Sequence, residues 1–176
     1  LPPGFAPTGS LVASANDLAR YLQMLLANGE ALGGRVLSAH GVRQLLTPAS
    51  PTATTSLLST DFRFRYGEGW FVGPFGAASD ARWHLGNLAS FAAWMVLLPD
   101  SRQAVVVLIN ANSELPLGHA NAVMSRLPIG IVNLLQGQPP PAGPSLRSGY
   151  RVFNTGSALA TVLSLALAAT ALTAVA

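Results

Sequence analysis

Apolar residues recur at helical spacing in two segments near the start of the chain. The first, ANDLARYLQMLLANG at residues 15–29, predicts an amphipathic helix. Its apolar stripe consists of Leu18, Tyr21, Leu22, Leu25 and Leu26. Ser14 followed by Asp17 is a capping-box pattern at its start, and Asn28-Gly29 is a typical stop. A second, shorter helix is predicted after Ser38; its inward residues and its end are Val42, Leu45, Leu46 and Pro48.

From Tyr66 the pattern changes to short runs rich in aromatic and β-branched residues, which is typical of strands. The predicted strands are YGEGWFVG (66–73), ARWHLG (81–86), SFAAWMVLLP (90–99) and QAVVVLINA (103–111). A turn at residues 99–102 joins the last two as an antiparallel hairpin. Because both are almost unbroken apolar runs, we expect central strands covered on both faces. Residues 47–61 predict a polar loop.

The last third of the chain changes character twice. A helix is predicted at about 115–137, with a kink at Pro128 and with Val123, Leu127, Ile131 and Leu134 on its buried side. Residues 137–151 open with GQPPPAGP and predict a linker. Residues 152–176 carry no charge and exceed the roughly 20 residues that cross a bilayer, which predicts a transmembrane helix. A buried core helix is the alternative, and it requires a larger domain.

Composition agrees with a membrane segment or a large core, because half of the residues are hydrophobic and only 10% are charged. The net charge is only +3, and the arginines are scattered from Arg20 to Arg151 without a basic run, so we expect no nucleic-acid partner. All ten basic residues are arginine, which excludes a lysine base within this chain. There is no cysteine and no metal-ligand spacing among the three histidines, so neither a metal nor a cofactor is expected.

His84 is the first candidate for chemistry, and two interpretations stay open at this point. A lone histidine near a strand is more often structural than catalytic. Gly86, two places on, allows close approach of a ligand to the strand, and the backbone N–H of Asn87 could then face an oxyanion. Glu68 and Asp80 lack a pairing pattern and are more typical of loop charges than of catalytic acids.

Four segments in series resemble a known family. They are PTGSLVASANDLARYLQMLLANG, RVLSAHGVRQLLTP, YGEGWFVG and HLGNLASFAAWMVLLPDSRQAVVVLINA. Their order and spacing closely resemble the C-terminal half of the serine β-lactamase-related hydrolases, the class C β-lactamase and penicillin-binding-protein-like group. The resemblance covers about residues 1–136. It implies an α+β architecture, the C-terminal part of a β-lactamase-like fold in which helices flank an antiparallel sheet, incomplete and followed here by the transmembrane helix.

The same resemblance implies a role for the three site residues. In that family an S-x-x-K motif, a Y-x-N motif and a K-T-G or H-x-G motif on an inner edge strand form the site. His84-Leu85-Gly86 matches the H-x-G motif, and Asn87 stands where a backbone N–H completes the oxyanion hole. S-x-x-K and Y-x-N are absent from these 176 residues, and the turn residues Leu88-Ala89-Ser90 lack the usual glycine and proline.

The resemblance therefore implies part of a membrane-anchored serine hydrolase that forms an acyl-enzyme with a β-lactam, a D-amino-acid peptide or an ester. This chain alone is expected to be inactive, and its partners are expected to be a small-molecule or cell-wall peptide substrate, the membrane, and the missing N-terminal part of the domain. The expected location is the bacterial cytoplasmic membrane, with the hydrolase domain outside the cytoplasm. The alternatives are a non-catalytic anchored module that binds cell-wall or acyl ligands, a truncated gene product, or a structural membrane protein in which His84 is fully buried.

Overall fold

The computed structural model describes residues 4, 9, 11–57, 60–88, 91–110 and 119–142. Their elements, in chain order, are α1 (Ala15–Leu26), β1 (Glu30–Ala31), β2 (Gly34–Arg35), α2 (Ala39–Leu45), β3 (Ala53–Leu57), β4 (Thr60–Tyr66), β5 (Phe71–Phe75), β6 (Ala78–Leu88), β7 (Phe91–Leu98), β8 (Gln103–Ile109) and α3 (His119–Leu135). β1 pairs with β2, and β3 to β8 form one antiparallel sheet in chain order. The predicted combination of helices with an antiparallel sheet is confirmed.

The six-stranded sheet has a hydrophobic core on each face. The larger core lies on the side of α3 and contains Phe62, Phe75, Ala78, Ala81, Trp83, Trp94, Val96, Leu98, Val105, Val107, Ile129 and Val132. The smaller core lies on the side of α1 and α2 and contains Leu22, Met24, Leu25, Val42, Trp70 and Leu97. Because successive side chains of a strand point to opposite faces, β7 contributes to both cores in alternation.

The predicted caps of α1 and α2 are present. The Asp17 N–H donates to the Ser14 hydroxyl at 3.2 Å, while the Asp17 carboxylate accepts from the Ser14 N–H at 3.3 Å. Asn28 and Gly29, with φ of 55° and 94°, end the first helix in the left-handed region. The stripe is slightly displaced from the prediction, because Met24 is buried whereas Tyr21 is exposed and stacks on Trp70.

The predicted polar loop at residues 47–61 is wrong in its second half. Ala53–Leu57 forms β3, and Thr60 already begins β4. The strand predicted at 66–73 is confirmed only in its last part, because Tyr66 ends β4, residues 67–70 form the turn, and β5 begins at Phe71. Among the described strands β3 lies at one edge of the sheet. Its two threonines are β-branched and therefore suit a strand.

The hairpin predicted at residues 99–102 is confirmed as the connection between β7 and β8, with Leu98 opposite Gln103. Only β7 is central. β8 lies at the edge of the sheet among the described strands, so the prediction of two central strands is wrong for β8. Its apolar residues are nevertheless covered, because Val105 and Val107 pack in the core on the α3 side and Ala104 and Val106 pack on the α1 side.

The predicted buried side of α3 is confirmed for Ile131, which packs against the larger core, and wrong for Leu127 and Leu134. Leu127 and Leu134 are 48% and 63% exposed, and the buried residues of the described part of the helix are instead Met124, Ser125, Pro128, Ile129, Gly130 and Val132. The helix contains apolar residues around most of its circumference, so spacing alone did not fix which side packs on the sheet. Pro128 lies within it.

The Asn133 side chain ties the segment after α3 to the helix and to the turn before β6. The Asn133 side chain donates to the Pro139 carbonyl at 3.0 Å and accepts from the Ala77 N–H at 2.7 Å. Within the described ranges, no helix is both long enough and apolar enough to cross a membrane. The predicted transmembrane segment, residues 152–176, and most of the predicted linker lie outside the described residues.

Candidate active site around His84

β6 sets the direction of the His84 side chain. Its neighbours Trp83 and Leu85 pack in the core on the α3 side. Strand alternation therefore turns His84 to the opposite face, where its partner in register is Met95 of β7. His84 is half-buried rather than enclosed, which disagrees with the interpretation of a fully buried structural histidine.

The imidazole of His84 lies against two aromatic side chains. Its Nε2 is 3.2 Å from the hydroxyl of Tyr66, at the end of β4. The ring of Phe71 stacks on it with centroids 5.2 Å apart. Tyr66 and His84 are separated by 18 residues and by β5 in the sheet, so no local spacing in the sequence pointed to this pair.

The electrostatics of the site favour a neutral imidazole. Burial lowers the pKa of His84 below its ordinary value of 6.5, and a hydrogen bond with the backbone of Leu85 opposes this shift in part. A neutral ring protonated on Nδ1 leaves Nε2 as an acceptor for the Tyr66 hydroxyl. The pair is thus able to hold or pass a proton at neutral pH.

The strand changes its pairing at His84. β5 pairs with β6 from Phe75 opposite Ala78 to Phe71 opposite Trp83, where their register ends. From His84 to Gly86, β6 pairs with β7 alone among the described strands. A strand with a partner on one side only presents backbone groups on the other side to an extended ligand.

Gly86 is exposed on this segment, and the fold does not explain why it is glycine. A Cβ added at Gly86 would meet only the Cβ of Ala93 at 3.9 Å, which is an ordinary contact. Its backbone lies outside the left-handed region that favours glycine. A glycine at a position where neither packing nor conformation requires one is consistent with close approach of a ligand.

Asn87 is exposed on β6, opposite Ala92 in the register. Strand alternation places its side chain on the other face from His84 and Gly86. The three predicted site residues therefore lie together at the end of β6, and the assignment of the Asn87 N–H to an oxyanion hole stays a prediction.

The two carboxylates predicted to be loop charges have structural partners, and the prediction is wrong for Asp80, which lies on β6. Asp80 forms an ion pair with Arg82, and Glu68 accepts a hydrogen bond from the Gln44 side chain at 3.2 Å. Ser14 serves as the cap of α1, as its capping-box pattern predicted. In the part of the chain that the structure describes, no group of three or more His, Asp or Glu side chains could hold a metal ion.

Two comparisons with known proteins bear on this site. The family model described as Beta-lactamase matches residues 1–126, a range that contains α1, α2, strands β1 to β8 and His84. A search of the curated proteins found no match.

Proposed function

This chain belongs to the β-lactamase family, and from that premise we propose that it is the C-terminal part of a membrane-anchored serine hydrolase that works through an acyl-enzyme. The substrate class is a β-lactam, a D-amino-acid peptide or a simple ester. The observation that carries the proposal is the half-buried His84 at the hydroxyl of Tyr66, where β6 loses its partner β5 on one side.

In the proposed reaction a serine oxygen attacks the substrate carbonyl, and water later hydrolyses the acyl-enzyme. His84 lines the acyl site and holds Nε2 ready to accept or pass a proton, with Tyr66 as its hydrogen-bond partner. Gly86 leaves room for the substrate beside the strand, and the Asn87 N–H stabilises the oxyanion. These residues form one wall of the site.

The serine and its base do not come from these 176 residues. The sequence contains no lysine, so S-x-x-K does not occur, and none of its tyrosines begins a Y-x-N motif. Without an activated nucleophile an oxyanion hole has no intermediate to stabilise. We therefore expect this chain by itself to give no acyl-enzyme.

The same absence favours a second function, a non-catalytic module that binds acyl or cell-wall ligands along the edge of β6. The coding sequence upstream of Leu1 separates the two. In-frame S-x-x-K and Y-x-N motifs support the hydrolase, whereas a genuine start codon at or near Leu1 excludes it and favours the binding module or a truncated product.

An acylation assay on the complete reading frame tests the hydrolase directly. A fluorescent penicillin and a fluorophosphonate ester report covalent labelling of a serine, and His84→Gln is expected to slow labelling by about 10²-fold, as for loss of a proton-handling group. His40→Gln, a change of an exposed histidine on α2, is the matched control and should label at the wild-type rate. Equal rates for both variants would exclude His84 from the reaction.

Anchoring and location are part of the proposal and rest on the uncharged residues 152–176. We propose that this segment spans the bacterial cytoplasmic membrane and that the hydrolase domain faces outward. Protease added to intact cells should then degrade the domain, while a domain that resists until the cells are lysed would place it inside.

A further inference from the structure

A second surface of the molecule, separate from His84, combines an apolar floor with positive charge. It is a cleft of about 430 Å³ between the ends of α1 and α2 and the turn after β7. Its apolar lining includes the partly exposed side chains of Leu26, Leu46 and Pro99, which form the floor open to a ligand. Arg43, Arg82 and Arg102 also line it, and neither Tyr66 nor His84 is among the described lining residues. We call it the arginine cleft.

The charge of the arginine cleft is only partly neutralised by described residues around it. Its described lining contains no Asp or Glu. Arg82 is ion-paired with Asp80, but neither Arg43 nor Arg102 is in an ion pair with a described residue. Two guanidinium groups therefore remain available beside an apolar floor, and a guanidinium binds a carboxylate or a phosphate through two parallel hydrogen bonds.

The backbone at Arg102 supports a role for its side chain. Arg102 has φ of 53°, a left-handed conformation in which glycine and asparagine are the usual residues. The other non-glycine residue in this region, among those described, is Asn28, which lines the same cleft and ends α1 in a conformation that asparagine tolerates. An arginine at an unfavourable turn position suggests that its guanidinium is needed.

We infer that the arginine cleft binds an amphipathic anion, an oxyanion head group on a short aliphatic tail. Arg43 and Arg102 hold the head group at the rim, and the tail packs against the partly exposed Leu26, Leu46 and Pro99. The volume lies within the range of small-molecule sites. The binding does not depend on acyl transfer at His84, so it stands or falls separately from the proposed hydrolase.

Titration of the full chain with octanoate, followed by calorimetry or NMR, tests the inference. Octanoate is expected to bind saturably, to bind more tightly than hexanoate by up to about fourfold per added methylene group, and to weaken as salt is raised. Octyl phosphate, run in parallel, shows whether the head group is preferentially a carboxylate or a phosphate. Octan-1-ol and octylammonium carry the same tail without the anion and should bind much less tightly.

Two variants and one control identify the groups involved. Arg43→Gln and Arg102→Asn should each weaken octanoate binding about three- to tenfold, and Arg102→Asn should leave the melting temperature unchanged or raised, because asparagine accepts the left-handed conformation. Arg20→Gln, a change of an exposed arginine of α1 that does not line the cleft, should bind as the wild type does. Octanol binding as tightly as octanoate, wild-type affinity in both cleft variants, or no saturable binding of either anion would each overturn the inference.

Discussion

His84→Ala is a sharp test of whether His84 serves a site or the core. The substitution removes the hydrogen bond with Tyr66, a contribution of about 1 kcal/mol. It also removes the stacking on Phe71, a further contribution of about 0.5–1.5 kcal/mol. Because the imidazole is only half-buried, little cavity is left behind. We therefore expect the free energy of unfolding to fall by about 2 kcal/mol.

Trp83→Ala is the matched comparison, one residue away on the same strand. Trp83 is 0% exposed in the core on the α3 side, so its truncation should cost about 3–5 kcal/mol. Urea unfolding of the wild type and of both variants, followed by circular dichroism, gives the two differences. The slope against urea should stay constant across the three proteins, because the surface exposed on unfolding hardly changes.

A loss for His84→Ala that equals or exceeds the loss for Trp83→Ala would refute this reasoning. It would mean that His84 stabilises the fold as strongly as a residue of the core does, so that an effect of this variant on acylation would not report on the site alone. A loss near 2 kcal/mol leaves the fold intact, so that any effect of the same variant on acylation reports on the site itself.

Three further outcomes are expected from the pKa of His84, the packing at Gly73 and the cap at Ser14. Because burial lowers the pKa of His84, the unfolded chain takes up this proton first, so stability should fall as the pH drops below about 6.5; urea unfolding across a pH series should show a flatter profile for His84→Gln. Gly73→Ala should destabilise the sheet, because its Cβ would lie 2.6 Å from the Arg63 carbonyl oxygen, whereas Gly86→Ala should melt close to the wild type. Ser14→Ala should cost about 1 kcal/mol by removing the cap of α1, and an unchanged melting temperature would show that the capping box contributes nothing.

Local signals account for the parts of the fold that could be predicted. The cap at Ser14 with the stop at Asn28-Gly29, and the turn between β7 and β8, are each encoded within a few neighbouring residues. β3 was missed because its residues, ATTSL, are as polar as a loop, and it becomes a strand through pairing with β4. The buried side of α3 was only partly predicted because both of its sides are apolar, and only packing on the sheet chooses between them.

The candidate site was partly predictable for a similar reason. His84, Gly86 and Asn87 lie close together on a single strand, so a motif could find them. Tyr66 could not be found, because it reaches His84 only across β5, once three strands have paired in the sheet. β6 loses its pairing with β5 after Trp83 because β5 begins at Phe71. The apolar residues of the 66–73 segment did not show where that strand begins.

The two cores bear on how β7 resists slippage. A strand with one polar face is held in place because a shift by one residue would expose its apolar side chains, but most of β7 is covered on both faces and lacks this safeguard. In β7 the register depends on the sizes of the side chains on the two faces rather than on a polar face. A one-residue shift would move Trp94 from the larger core, where it contacts Trp83, into the smaller core that now receives Met95 and Leu97. Because β7 pairs with β6, the size of the Trp94 side chain also helps to keep His84 opposite Met95.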